Sequence, residues 1–245
     1  MEVYTHSNYE FHVVKKLGAG AFGEVYEVSL PTCNFKYALK KFSPQMHIAA
    51  ASVFSEGELL KRFSQETRYQ TNCHHRNIVP ICVVHLGDAP FFVMDLADSD
   101  LSTLLANDSL GKDEKIKAIL DIVDGLEYIH SKDLVHRDLK PQNVLVFNGV
   151  YKISDFGLIK SVTANNHDVV TAIRVRLGTE DYMAPELKLA GHYSCLTDIF
   201  SLGVIISEFK IHELDKVVDK CTNRTVRFRY QSVSEVRNEI LRAIK

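Results

Sequence analysis

The stretch from His136 to Asn143, which reads HRDLKPQN, constrains the fold of this chain more than any other feature. It follows an amphipathic pattern with apolar residues at helical spacing: Ile116, Ile119, Leu120, Val123, Leu126, Tyr128 and Ile129. Two short apolar runs come next, at 143–146 and 150–153. They flank Asn148-Gly149, a dipeptide that fits a tight hairpin turn because both positions tolerate positive φ. The fold must therefore hold a group of charged and amide side chains beside a small hairpin.

The amino-acid composition limits the classes of protein to which this chain can belong. The 245 residues are 46% hydrophobic and 24% charged, enough for one large domain or two lobes around a real core. The formal charge of −2 gives no reason to expect a nucleic-acid or membrane-surface partner. Five widely spaced cysteines without a C-x-x-C pair suggest neither disulfides nor a zinc-binding cysteine cluster. With no stretch of about 20 apolar residues and no export signal, we expect a cytoplasmic protein.

The first third of the chain is strand-like and the remainder is mainly helical. Predicted strands cover residues 11–14, 25–28, 35–39, 78–86 and 90–96. A helix is predicted between Ser55 and Cys73, because Leu59, Leu60 and Phe63 recur at helical spacing. The change in pattern predicts two lobes of one domain, an N-lobe over residues 1–95 and a C-lobe over residues 96–245.

A glycine cluster lies between the first two predicted strands. The segment from Gly18 to Val25, GAGAFGEV, fits G-x-G-x-x-G-x-V, in which positions without side chains let backbone N–H groups approach phosphate oxygens. A dinucleotide-binding loop would lead into a helix, whereas Glu24 to Val28 alternates like a strand. The motif alone leaves open a phosphate-binding hairpin and a glycine-rich turn without a ligand.

Lys40 ends the strand that follows this cluster. Its spacing behind Gly23 favours a contact with nucleotide phosphates, and such a lysine needs a carboxylate to hold it. Glu66 is the predicted partner because it lies on the apolar face of the helix. Glu56 and Glu58 are expected to face solvent in the first turn of that helix.

Three motifs together resemble those of the eukaryotic-type protein kinase domain. They are His136 to Asn143 for H-R-D-L-x-x-x-N, Asp155 to Gly157 for D-F-G, and Ala184 to Glu186 for A-P-E. The resemblance extends from Leu17 to about Ile244. It implies an α+β, bilobal protein-kinase-like fold with an antiparallel β N-lobe carrying one helix and a mainly α-helical C-lobe.

The resemblance also implies catalytic roles. Asp138 would orient the attacking hydroxyl and accept its proton, and Lys140 would neutralise charge on the γ-phosphate. Asn143 and Asp155 would bind Mg²⁺, which prefers hard oxygen ligands. Lys40 and Glu66 complete the expected catalytic set.

ATP is the implied nucleotide. Val25, Ala38 and Leu145 would lie on either side of the adenine ring, and Met94 would close the back of the pocket. Asp95 and Ala97 would offer backbone hydrogen bonds to the adenine. Asp100 would reach the ribose. The full set of expected ATP-binding residues is Leu17, Gly18, Gly20, Gly23, Val25, Ala38, Lys40, Met94, Asp95, Ala97, Asp100, Leu145 and Asp155.

A protein substrate with Ser or Thr side chains is implied by Lys140 and by Gly178-Thr179, which resemble the corresponding positions of Ser/Thr kinases. Arg229 resembles the late arginine of the family that pairs with the A-P-E glutamate, here Glu186. The segment from Asp198 to Gly203 resembles the D-x-W-S-x-G helix that anchors the catalytic loop, with Phe200 in place of tryptophan.

The chain departs from the family in its second half. Arg229 follows Asp198 by only 31 positions, about half the usual spacing, which predicts a shortened C-lobe. One short helix is expected over residues 214–221, and Ser232 to Glu235 offers a capping box for the last helix.

Phosphorylation of the activation segment is a hypothesis only. A phosphorylated residue could pair with Arg137, and the available hydroxyls are those of Ser161, Thr163 and Thr171, with Thr179 expected to be structural.

Two other classes remain as alternatives to a protein Ser/Thr kinase. One is a pseudokinase or nucleotide-binding scaffold with weakened catalysis, and the other is a small-molecule phosphotransferase.

Overall fold

The computed structural model of the protein describes residues 2–20, 23–32, 35–44, 55–157, 159–161, 180–190 and 193–245. These residues form two compact units. The first comprises Met1–His74 and Val79–Ala97, and the second comprises His75–Ile78 and Asp98–Lys245. Within the described ranges, no helix is both long enough and apolar enough to cross a membrane.

The first unit is built on a six-stranded antiparallel sheet with the strand order β1-β2-β3-β4-β6-β5. Its strands are β1 (Val3–His6), β2 (Tyr9–Ala19), β3 (Gly23–Ser29), β4 (Lys36–Phe42), β5 (Ile81–His85) and β6 (Phe91–Asp95). The predicted strands correspond to β2 to β6. Strand β1 is missing from the sequence prediction because four residues are too few to display a period of two.

The core of this unit lies against one face of the sheet. Its buried members are Tyr4, Phe11, Val28, Leu30, Leu39, Phe91 and Val93. Tyr4 reaches this core from β1 and meets the Phe91 ring edge to face at 5.4 Å between centroids. Strand β1 is therefore part of the packed unit.

Helix α1 (Glu56–Thr71) is the helix predicted from apolar spacing. It starts with a capping box in which the Ser55 hydroxyl accepts from the Glu58 amide and the Glu58 carboxylate accepts from the Ser55 amide. Leu59 and Phe63 are buried on its inner face, as expected. The capping box explains why Glu58 is directed to the start of the helix.

The second unit is mainly helical. Its helices are α2 (Leu101–Ala106), α3 (Lys112–Ser131), α4 (Pro185–Ala190), α5 (Cys195–Glu208), α6 (Asp215–Cys221) and α7 (Val233–Ala243). Short strands accompany them: β7 (Ser99–Asp100), β8 (Leu134–Val135), β9 (Val144–Phe147), β10 (Val150–Ile153) and β11 (Lys160–Ser161). The predicted hairpin is confirmed, because β9 pairs with β10 and the turn residues Asn148 and Gly149 have φ of 49° and 72°.

The segment between Asp198 and Arg229 contains α6 as its short helix, close to the predicted bounds. The capping box expected for α7 is only half formed. Ser232 accepts from the Glu235 amide, but the Glu235 carboxylate accepts from the amide of Gln231, one residue before the cap. A sequence pattern identifies the cap but does not fix which amide the glutamate reaches.

Candidate functional site

The glycine-rich hairpin lies between β2 and β3, and Gly18 is in register with Val25. The amide of Gly20 donates to the carbonyl of Gly23 at 2.8 Å. A Cβ at Gly23 would lie 2.3 Å from the Lys41 carbonyl oxygen, so packing requires glycine there. A Cβ at Gly18 or Gly20 would meet no described atom within 4 Å. Within the part of the chain that the structure describes, packing therefore does not account for the glycines at 18 and 20.

Lys40 and Glu66 form a buried ion pair in the first unit. Lys40 Nζ on β4 lies 2.5 Å from Glu66 Oε1 on α1, and the two residues are 8% and 1% exposed. A buried charge pair is costly to desolvate, so its presence is weak evidence of a stabilising role. The pair that the sequence predicts is thus present, and α1 holds the carboxylate in place.

Of the residues expected around the adenine, Val25, Ala38 and Met94 lie on the adjacent strands β3, β4 and β6 of the first unit, whereas Leu145 lies on β9 of the second unit. Ala38 on β4 is in register with Met94 on β6, and both are buried. Asp95 ends β6 and is exposed, Val25 is half-buried, and Leu17 is 44% exposed.

Asp198 of α5 organises the loop from His136 to Asn143 in the second unit, which is the predicted catalytic loop. Its carboxylate accepts from the backbone amides of His136 at 2.8 Å and Arg137 at 2.9 Å. Arg137 has a φ of 71°, a left-handed conformation that costs free energy for a non-glycine residue. The two hydrogen bonds to Asp198 offset the free-energy cost of this conformation. The helix α5 thus anchors the loop, as the resemblance implies.

His130 is a member of this cluster that sequence reasoning missed. Its Nε2 lies 2.9 Å from Asp198 Oδ2. Burial lowers the pKa of His130, but the contacts with Asp198 and, to a smaller extent, Cys195 outweigh it and raise the pKa to about 9. Burial raises the pKa of Asp198, and the same contact makes the net change a lowered pKa. No local signal reveals the pair, since its members are 68 positions apart in the chain.

Asp138, Lys140 and Asn143 lie close together. Lys140 Nζ is 3.1 Å from Asp138 Oδ2. The Asn143 side-chain amide donates to the Asp138 carbonyl at 2.8 Å and to its carboxylate at 3.2 Å. A short 3₁₀ turn, Pro141–Asn143, brings the asparagine back toward the aspartate. A cation and an amide thus fix the orientation of the Asp138 carboxylate.

The loop that contains Asp155 is tied to the catalytic loop. The Ser154 amide donates to the Asn143 carbonyl at 2.8 Å, which brings the neighbouring Asp155 close to Asn143 in the fold. Phe156 is buried and meets the ring of His136 edge to face at 5.6 Å. Asp155 has a φ of 59°, so its backbone, like that of Arg137, is in a strained left-handed conformation.

Asp100 and Leu145 are in register on β7 and β9 of the second unit. Asp100 also caps α2, accepting from the Thr103 amide at 3.0 Å and from the Ser102 hydroxyl. Burial raises the pKa of Asp100, but these hydrogen bonds outweigh it and the net pKa is lowered. The capping role was not anticipated from the sequence.

Arg229 pairs with Glu186 as expected. The guanidinium donates to both carboxylate oxygens at 2.7 Å, and it also donates to the carbonyls of Leu196 at 2.9 Å and Asn223 at 2.7 Å. Arg229 is 2% exposed. One buried side chain therefore joins α4, the start of α5 and the loop after α6.

Several expected residues lie outside the described ranges: Thr163, Thr171, Gly178 and Thr179. Ser161 is described only in its backbone, which pairs with Leu134 between β11 and β8.

Comparison with known proteins places these motifs in a family. The protein kinase domain matches residues 11–239. An Aurora kinase from Yarrowia lipolytica is 31% identical over 204 residues, covering 82% of this chain and 52% of the relative. A sporulation-specific mitogen-activated protein kinase from Saccharomyces cerevisiae is 34% identical over 215 residues, covering 81% and 53%. Protein-tyrosine kinase 6 from Mus musculus is 34% identical over 210 residues, covering 81% and 42%.

The chain spans about half or less of the length of these relatives. The family match nevertheless covers nearly all of it and includes every motif described above. The chain therefore belongs to the protein kinase domain family.

Proposed function

We propose that this protein transfers the γ-phosphate of ATP, bound with Mg²⁺, to a Ser or Thr hydroxyl of a protein. The observation that carries the proposal is the arrangement of Asp138, Lys140 and Asn143 on a loop whose backbone is held by Asp198. Such an arrangement presents a fixed carboxylate and an adjacent cation, which phosphoryl transfer requires.

The side chains assigned to Mg²⁺ have suitable chemistry. Asp155 supplies a carboxylate, and Asn143 supplies an amide oxygen because its amide nitrogen donates to Asp138. Mg²⁺ commonly takes one or two protein oxygens and completes its shell with phosphate oxygens and water. When bound, the ion would neutralise charge on the phosphates.

Each proposed role follows from a group of the chain. Asp138 orients the substrate hydroxyl and takes its proton as that oxygen forms a bond to the γ-phosphorus and the bond to the β-phosphate oxygen breaks. Lys140 offsets negative charge on the transferred group. Lys40, held by Glu66, contacts the α- and β-phosphates, and the amides of the glycine-rich hairpin contact phosphate oxygens.

The remaining nucleotide contacts are proposed on the family resemblance together with the pairing of Ala38 with Met94 and of Asp100 with Leu145. We likewise propose that the domain consists of an N-lobe over residues 1–95 and a C-lobe over residues 96–245. A cytoplasmic location is likewise proposed. The described cysteines Cys82, Cys195 and Cys221 are thiols, which suits a reducing compartment.

Preference for Ser or Thr rests on Lys140 and on Gly178-Thr179. One relative is named as a tyrosine kinase, so overall similarity does not select the acceptor. Phosphoamino-acid analysis of a generic basic protein after reaction will identify which residue type accepts the phosphate. Phosphoserine or phosphothreonine supports the proposal, and phosphotyrosine alone would contradict it.

The main test is transfer from Mg-ATP to that basic protein, with Asp138→Asn and Lys40→Met as inactive variants. Loss of a catalytic base usually lowers turnover about 10²–10⁴-fold. Asp133→Asn is a matched control because Asp133 is an exposed loop residue with φ of 56°, a conformation that asparagine tolerates. Lys36→Met controls for Lys40→Met, since Lys36 lies on the same strand and pairs with Glu27. Both controls should keep wild-type turnover.

Two results would favour the alternatives. Turnover no higher than that of Asp138→Asn, together with a rise in melting temperature on adding Mg-ATP, would identify a nucleotide-binding pseudokinase. Transfer to small metabolites but never to protein would identify a small-molecule phosphotransferase.

A further inference from the structure

Two histidines from opposite edges of the first unit's sheet face each other. His6 lies on β1 and His85 on β5, the two outer strands of the six. Their Nδ1 atoms are 3.4 Å apart, and their rings meet edge to face with centroids 5.6 Å apart. The sheet must therefore curl enough to bring its edges together at this point.

Aromatic packing holds the two edges in this arrangement. The ring of Phe91 on β6 stacks on His85 at 4.9 Å between centroids and also meets Tyr4 of β1 at 5.4 Å. His6 is two residues from Tyr4 on the same strand, so both side chains lie on the same face. The histidine pair therefore packs against aromatic side chains, while both histidines remain partly exposed.

A backbone carbonyl selects the tautomer of His85. Its Nε2 is 3.2 Å from the carbonyl oxygen of Asp88, which can only accept a hydrogen bond. Nε2 therefore carries the proton, and in the neutral ring Nδ1 presents a lone pair toward His6. Metal-binding histidines usually donate their second N–H to a carbonyl or carboxylate in this way.

The separation of the two nitrogens fits a metal ion. Two imidazole nitrogens bound to tetrahedral Zn²⁺ at about 2.0–2.1 Å lie about 3.3–3.4 Å from each other. We propose that His6 and His85 bind a divalent transition-metal ion, with Zn²⁺ as its representative, through their Nδ1 atoms.

The donor set defines the class of metal. Imidazole suits Zn²⁺, Cu²⁺ and Ni²⁺, whereas Mg²⁺ and Ca²⁺ require oxygen ligands. Among the described residues, no group of three or more His, Cys, Asp or Glu side chains could hold a metal ion, so the two imidazoles are the proposed protein ligands and water would complete the shell. Binding requires the proton between the two Nδ1 atoms to move to Nε2 of His6, and no other bond changes.

A bound ion would join the edges of the sheet. Because β1 and β5 are far apart in the sequence, the unfolded chain does not preform this site. Metal binding should consequently raise the melting temperature of the protein with increasing metal concentration.

The test is a calorimetric titration with ZnCl₂ in excess Mg²⁺, which occupies oxygen-rich sites. We expect one Zn²⁺ per chain with an affinity at least about tenfold above that of the His6→Gln and His85→Gln variants. His12→Gln is the matched control, because His12 lies on neighbouring β2 beside Glu10 and should leave the affinity unchanged. Equal affinity in all four proteins would overturn the proposal.

A second measurement does not depend on the variants folding. In wild-type protein labelled with ¹⁵N-histidine, Zn²⁺ should shift the Nδ1 resonances of His6 and His85 together at one equivalent. Shifts spread over other histidines, with these two unchanged, would contradict the site. Neither readout uses phosphoryl transfer, so the result is independent of the proposed kinase activity.

Discussion

His130 Nε2 lies 2.9 Å from Asp198 Oδ2, and the two side chains are 11% and 1% exposed. The imidazolium offsets the charge of a carboxylate that also holds the amides of His136 and Arg137. A cation at the end of α3 thereby supports the loop that carries Asp138.

This pair predicts a loss of stability at alkaline pH. The pKa of His130 rises from 6.5 to about 9 on folding, so its contribution is complete below pH 6.5 and is lost as pH rises through about 9. The shift corresponds to a contribution on the order of 3 kcal/mol. Urea unfolding of wild type and His130→Gln at pH 6, 8 and 10 measures it. The difference in free energy of unfolding should shrink with pH, and a constant difference would contradict the assignment.

Removing the Arg229 guanidinium should destabilise the second unit strongly. Arg229→Met leaves the Glu186 carboxylate without its bidentate partner and is expected to cost about 3–5 kcal/mol. Arg229→Lys keeps the charge but loses the fork geometry, and should fall between wild type and Arg229→Met. A double-mutant cycle with Glu186→Gln measures the coupling. Additive single effects would show that the two side chains do not interact energetically.

Strand β1 should contribute measurably to the stability of the first unit. Tyr4→Ala removes a buried ring from the Phe91 contact and is expected to cost about 3–5 kcal/mol. Tyr4→Phe keeps the ring and loses the hydroxyl with its polar contacts to Glu2 and Lys41, which should cost about 1 kcal/mol. Amide hydrogen exchange in β1 and β2 reports the effect locally. Unchanged exchange in Tyr4→Ala would mean that β1 is not docked in solution.

Gly203 of α5 should not tolerate a methyl group. A Cβ there would lie 2.4 Å from Cys221 Cβ on α6, and such overpacking costs about 1–3 kcal/mol, more than the roughly 1 kcal/mol gained in helix propensity. Gly57→Ala is the matched control, because a Cβ at Gly57 in α1 would meet no described atom within 4 Å. Thermal unfolding should show a lower melting temperature for Gly203→Ala and an equal or higher one for Gly57→Ala. A stabilised Gly203→Ala would contradict the close contact of α5 and α6.

Local patterns identified the elements that carry the candidate site. Apolar spacing predicted α1, and that spacing selected Glu66 as the residue facing Lys40. The Asn148-Gly149 dipeptide predicted the β9-β10 hairpin because its turn geometry needs positive φ. These features follow from residues that are close in sequence, where conformational preference and periodicity are expressed directly.

The sequence by itself thus determined the family and the local elements of each unit. The tertiary structure alone decided which distant groups meet: His130 with Asp198 across 68 positions, and His6 with His85 across 79. A local pattern does not encode such pairs, because they depend on how helices pack and how far a sheet curls. The same dependence gives His130 its raised pKa, since burial and a charged partner exist only in the folded chain.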